Sequence, residues 1–116
     1  MISAARFREL ALSFEGTTEV PHMDRAAFRT QRRIFATLPT DGATANLQLE
    51  RDLQEALCEA KPEAFAPVPG GWGRMGYTTV NLRVVSEKDL LPVLTEAHAR
   101  ASEPKKKPPA KRARRR

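Results

Sequence analysis

The chain contains a single cysteine, Cys58, so no intramolecular disulfide is available and a zinc site of the usual multi-cysteine kind is excluded. Histidine is nearly as scarce. His22 and His98 fall in different predicted elements, and there is no H-E-x-x-H or other ligand spacing that would hold a metal. Cys58 has no basic neighbour in sequence to depress its pKa and reads as a partly buried structural thiol. His98 reads as a surface or core-edge residue of the last helix, and His22, beside Pro21, as a hydrogen-bonded structural group. No apolar run approaches the roughly 18 residues of a membrane span. The opening "MISAARFREL" places charges where a signal peptide needs its apolar region. These absences point to a non-enzymatic protein of the cytoplasm, nucleoid association included, with no cofactor, no metal and no membrane partner.

What is present is charge, unevenly distributed. The chain has 116 residues, 20 Lys/Arg, 14 Asp/Glu and a formal net charge of +6, with room for one domain. Residues 102–116, "SEPKKKPPAKRARRR", hold eight of the cations, one acid and three prolines. Removing them leaves 12 basic and 13 acidic residues, a net of −1 for residues 1–101. The basicity therefore belongs to the tail. Like-charge repulsion, proline and the lack of apolar periodicity predict that 102–116 is a disordered basic segment following a folded domain at 1–101.

Within 1–101, helical and extended patterns alternate. Phe7, Leu10, Ala11 and Phe14 recur at helical spacing behind a Ser3 cap, and Gly16 ends the segment. "TTEVPHMDRAAFRTQRRIFATL" is β-type in short runs, punctuated by Pro21 and by Thr30-Gln31-Arg32, which predicts two or three antiparallel strands. After the "PTDGAT" loop, Ala45, Leu47 and Leu49 alternate with polar residues as a further strand. Leu49, Leu53, Ala56, Leu57 and Ala60 make a helical stripe that stops before Pro62, with Glu50, Asp52, Glu55 and Glu59 on its solvated side. "FAPVPGGWGRMGYTTVNLRVV" is β-like at both ends around a glycine-rich loop. A last helix runs from Ser86 or Asp89 to Ala101. Ser86-x-x-Asp89 resembles a capping box, while Pro92 favours a start near Asp89 because proline is tolerated in the first turn. The order helix–strands–helix–two strands–helix predicts a two-layer α+β fold.

Gly71-Trp72-Gly73-Arg74-Met75-Gly76 satisfies G-x-G-x-x-G, the dinucleotide fingerprint. That fingerprint works between a buried strand and a helix N-terminus inside a βαβ unit, where glycine lets backbone amides reach a pyrophosphate. Here Pro67-Val68-Pro69 precedes it, and the β-branched Tyr77-Thr78-Thr79-Val80 follows it. The string is thus expected to be a mobile hairpin loop with Trp72 and Arg74 at its tip. Composition favours a plain role, with Trp72 folded over the sheet and Arg74 solvated. The functional alternative is a wing that sets the guanidinium on a phosphate and offers the ring for stacking.

A second cationic turn lies in "RAAFRTQRR". Alternation puts Arg25 and Arg29 on one face with Gln31 and Arg33, and Phe28 toward the core. Its plain alternative is an ordinary charged sheet surface.

The segments "EVPHMDRAAFR", "RIFATL", "ANLQL", "PVPGGWGRMGYTTVNL" and "LLPVLTEAHARA" together resemble the MmcQ/YjbR family over residues 3–101. The resemblance implies an antiparallel sheet with helices packed on one side, similar to secretion chaperones. It also implies a double-wing nucleic-acid role and no enzyme activity, with the wings on the "RTQRR" turn and the "GGWGRMG" loop. The tail stands outside the shared pattern.

The function expected from these features is nucleic-acid binding with low sequence specificity, DNA ahead of RNA. The body would contribute Arg25, Arg29, Arg32, Arg33, Trp72 and Arg74. The tail would contribute Lys105, Lys106, Lys107, Lys111, Arg112, Arg114, Arg115 and Arg116. The alternative is a non-enzymatic protein-interaction module or homodimer using the sheet, recognisable by a broad exposed apolar patch on the sheet face.

Overall fold

A computed structural model describes residues 1–103. The expected basic segment from Lys105 to Arg116 lies outside the described residues. The elements run α1 (Ala4–Leu12), β1 (Thr18–His22), β2 (Arg25–Arg29), β3 (Ile34–Leu38), β4 (Thr44–Gln48), α2 (Arg51–Ala60), β5 (Phe65–Pro67), α3 (Gly71–Arg74), β6 (Tyr77–Asn81) and α4 (Glu87–Ser102). The strands form one antiparallel sheet ordered β1-β2-β3-β4-β6-β5, and the helices cover one side of it. This is the predicted α+β class.

Local signals explain most of the boundaries. The Ser3 side chain accepts from the Arg6 amide at 3.0 Å and caps α1, satisfying one of the orphan N–H groups of its first turn. Ser86 does the same for α4 by accepting from the Asp89 amide. The capping pair therefore prevails over Pro92: α4 begins at Glu87 and carries Pro92 in its second turn. Pro92 is exposed, so the carbonyl it leaves unpaired stays in reach of water.

Register assigns every strand residue to a layer. Phe28, Ala36 and Leu47 are opposite one another, as are Leu47 and Thr78, and all four are buried toward the helices. Phe28 meets Phe7 of α1 edge-on, with ring centroids 6.0 Å apart. Leu49, Val80, Leu82, Leu90 and Leu94 complete the same core. A register shift beside Phe28 and Arg29 accommodates β3, and Phe35 packs on Phe14 and His98. His98 stacks on Phe14 at 5.0 Å and lies 3.1 Å from the Glu15 carbonyl through Nε2, the expected core-edge position. His22 departs from expectation. It is exposed at the end of an edge strand and has no side-chain hydrogen bond among the described residues. Cys58 is half-buried, and desolvation pushes its thiol up.

The glycine-rich segment also departs from the expected mobile loop. Gly71–Arg74 forms one helical turn, closed down on the domain. A Cβ at Gly76 would run into the Leu49 carbonyl, and one at Gly73 into the Val68 carbonyl. Gly76 also has φ +95°, a region side chains avoid. The glycines serve backbone packing, and β5 is a three-residue edge strand antiparallel to β6, so no βαβ unit surrounds them.

Two outcomes follow. Gly76→Ala, which combines a backbone clash with positive φ, is expected to destabilise the domain by about 3 kcal/mol or more in denaturant unfolding, and by more than Gly70→Ala, where only backbone strain applies, about 1–3 kcal/mol; Gly70 has φ +78° and ψ −154° but open space around it. In the β3–β4 turn, Asp41 accepts from the Ala43 and Thr44 amides and from the Thr44 hydroxyl. The Ala43 amide bond leads in holding its carboxyl below the usual range. Its stabilisation is present above the unfolded-state pKa and lost as pH falls through the folded one, so Asp41→Asn should lose less Tm than the parent between about pH 5 and about pH 2.

Candidate nucleic-acid interface

Antiparallel connectivity brings the two cationic turns to the same end of the sheet. The Thr30–Arg33 turn joins β2 to β3, and β3 runs away from that end while β4 returns to it. Gln48, the last residue of β4, pairs with Tyr77, the first of β6. The α3 connection therefore lies at the same end, with β4 between the two tips. α4 finishes there too, so the chain passes Glu103 beside the first tip.

Each tip is fastened to the helix layer by one buried polar side chain. At the first, the Thr30 hydroxyl accepts from the Arg32 and Arg33 amides at 3.0 and 3.1 Å and donates to the Ala101 carbonyl at 2.9 Å. Arg33 Nη2 donates to the Glu103 carbonyl at 2.9 Å, placing a cation on the negative end of α4. At the second, the Gln54 amide nitrogen lies 3.1 Å from the Gly73 carbonyl, the Tyr77 carbonyl and the Thr78 hydroxyl. Arg51 Nη1 donates to the Arg74 carbonyl at 3.0 Å, and Gln48 Nε2 to the Met75 carbonyl at 3.3 Å. Gln54, Gln48 and Arg51 went unseen in the sequence. Gln54 sits among acids on an amphipathic helix, and nothing local marks it as the one polar residue turned inward.

These anchors leave the tip side chains outward. Arg32, Trp72 and Arg74 are exposed and Arg29 and Arg33 half-buried. Arg29 Nε donates to the Thr30 carbonyl at 3.1 Å, which fixes the stem of the side chain. Among the described residues, Arg29, Arg32, Arg33 and Arg74 have no carboxylate partner. Trp72 leans edge-to-face on Tyr77 with centroids 5.2 Å apart and is still 59% exposed, so it combines the covered and presented roles. Arg25 is different. It lies at the opposite end of β2, opposite His22, and pairs with Asp24 at 3.3 Å; the structure separates it from the other site arginines.

The helix side of the tip end is of mixed sign. A cleft of about 580 Å³ between the start of α2 and the end of α4 is lined by Arg33, Arg51 and Arg100 and by Glu50, Asp52 and Glu96, among others. No group of three or more metal-ligating side chains is present among the described residues, and none of their helices is long and apolar enough to cross a membrane.

Thr30→Val keeps the shape and removes the hydroxyl that serves two part-buried amides and one buried carbonyl. It is expected to cost about 2 kcal/mol in denaturant unfolding, with faster hydrogen exchange at the Arg32 and Arg33 amides. An unchanged exchange rate would contradict the anchoring role.

Among solved structures, the fold is similar to the crystal structure of the Deinococcus radiodurans protein DR2400, which carries a DUF419 domain. The TM-score is 0.71 at 20% identity, over 84% of this chain and 76% of that one. A Pseudomonas syringae protein matches with a TM-score of 0.65 at 14% identity, over 84% of this chain and 97% of that one. No curated protein matches the sequence. The YjbR family model matches residues 12–100, a span that takes in both anchored tips, all six strands and nearly all of α4, and the chain belongs to the YjbR family.

Proposed function

We propose that the protein binds nucleic acid, DNA ahead of RNA, with low sequence specificity and without catalysing a reaction. The observation that carries this reading is the gathering of Arg29, Arg32, Arg33 and Arg74, without carboxylate partners among the described residues, at the sheet end where the chain also passes toward its eight tail cations. Guanidiniums are suited to phosphate because they present paired donors in one plane. The tail Lys and Arg residues supply the larger, non-directional share by displacing condensed counterions. Trp72 adds a ring able to stack on a base, a contact that favours no particular sequence.

The alternative reading, a protein-interaction module, calls for a broad apolar patch on the sheet face. The strands present Thr37, Asn46, Gln48, Thr79 and Asn81 there beside the apolar Val20, Ala27, Ala66 and Tyr77, a mixed surface and not a broad apolar patch, which counts against it. The exposed pair Trp72 and Met75 is its best support.

A salt series on the full chain tests the proposal. If all eight tail cations engage phosphate, the log–log slope of affinity against salt is about −7. A chain shortened to residues 1–103, which keeps the carbonyls that Thr30 and Arg33 hold, should show a much shallower slope and weaker binding. Arg32→Glu combined with Arg74→Glu in the full chain should weaken binding further at low salt. Absence of binding to duplex and single-stranded DNA at low salt by the full chain would overturn the proposal.

A further inference from the structure

Of the face of the sheet away from the helices, the tip contacts described above use only Gln48 and Tyr77, and its composition is unusual. Register places Val20, Ala27, Thr37, Asn46, Thr79 and Ala66 in one row from β1 to β5. Five strand spacings make that row about 24 Å long. Every member is small or compact, so the row forms a flat floor. Ala27 is fully buried yet stands outside the core cluster, at the bottom of this floor. Toward the tip end the next positions are Arg29, Gln48 and Tyr77, with Trp72 against Tyr77. On the other side stand Arg25, Thr44 and Asn81.

Charge is divided between the two layers. Glu19, the one carboxylate of the strands, turns toward the helices and pairs with Arg8 at 2.9 Å. Glu9, Asp52, Glu55, Glu59, Glu87 and Asp89 all lie on helices. The strand residues facing outward include Arg25 and Arg29 and no Asp or Glu. The floor also offers amide and hydroxyl groups: Asn46 accepts from the Thr79 hydroxyl at 2.9 Å through Oδ1, and its amide nitrogen has no partner among the described residues.

Resting on the nucleic-acid reading above, we propose that the open sheet face is the seat of a single strand, laid along the row from β1 to β5 with Arg29 and the Tyr77–Trp72 pair on its tip-end side. The tip half of the face, free of carboxylates among the described residues, accepts a polyanion, while Asp41 on the Thr44 hydroxyl and Glu63 beside Ala66, Thr79 and Asn81 flank its other end. Compact side chains let splayed bases lie close to the sheet. Asn46, Gln48, Thr37 and Thr79 offer donors and acceptors to base edges, and the aromatic pair provides the stacking end. A duplex hides those edges and meets the face only through phosphates. The row is long enough for about four nucleotides, the low end of single-strand site sizes on small sheet domains.

The test uses the full chain, a fluorescent oligothymidylate and a duplex of the same length at low salt. The parent should bind the single strand more tightly than the duplex and show quenching of Trp72 emission with it. Ultraviolet crosslinking of the parent to oligothymidylate should map to Tyr77 or Trp72. Thr37→Glu combined with Ala66→Glu puts two carboxylates on the floor and should lower single-strand affinity roughly tenfold or more, while Ala56→Glu on the exposed side of α2 changes it less than about twofold, since screening confines the effect to the near surface. Tighter binding to duplex overturns the single-strand proposal and leaves the nucleic-acid reading standing. Crosslinks confined to the tail or to α1, α2 and α4, unchanged affinity in a folded floor variant, or a loss of self-association in that variant overturn it likewise. If the parent binds neither polymer, both readings fall.

Discussion

An antiparallel sheet that buries only one of its faces must sort its side chains by parity, and this one-sided packing governs the molecule. Phe28, Ala36, Leu47 and Thr78 go to the helices because they share a register row. Their neighbours along each strand face outward, except Phe35, which at the register shift beside Arg29 packs on Phe14 and His98. The same parity sends Glu19 inward to Arg8 and Arg25 and Arg29 outward. A slip of one residue in any strand would invert this sorting. The absence of Asp and Glu among the outward strand side chains is therefore a consequence of register, while the loop acids Asp41 and Glu63 reach the face only at the end away from the tips.

Connectivity adds the second feature. With strands alternating in direction, the β2–β3 turn, the α3 connection and the end of α4 converge on one edge of the domain. Thr30 and Gln54 hold the two turns to the helices by hydrogen bonds made in buried surroundings, where leaving any partner unmade is costly. The guanidiniums and the Trp72 ring are thus displayed from fixed backbone. A cationic surface on anchored turns would lose less conformational freedom on binding a partner than one on mobile loops, which is what the proposed function asks of the body.

Much of this was legible in the sequence because the signals were local. Ser3, Pro62 and the Ser86–Asp89 pair mark helix ends by mechanisms that act within one turn, whereas α1 stops at Leu12 with Ser13 as its cap, before the expected end at Gly16. Alternation around Phe28 and Leu47 identified the buried face. What was not legible depends on contacts distant in sequence. Four glycines around Trp72 read as a mobile loop, yet Gly73 and Gly76 are there because the backbones of Val68 and Leu49 come close. Gln54 looks like any polar residue of α2 until Thr78 and the α3 carbonyls are brought to it. Arg25 and Arg29 share a strand face, but four residues of strand carry them to opposite ends, where Asp24 claims only the first. Pro92 argued for a shorter α4, and the Ser86 cap prevailed because the proline lies on the solvent side.

The most direct measurement of the central claim is a map of backbone amide chemical shifts during titration of the full chain with a short oligonucleotide. The account predicts perturbations at residues 29–33, 46–48 and 72–79, with the amides of α2 between 51 and 60 left in place. Perturbations concentrated on α2 and the outer side of α4, with the two turns and the open strands silent, would contradict it.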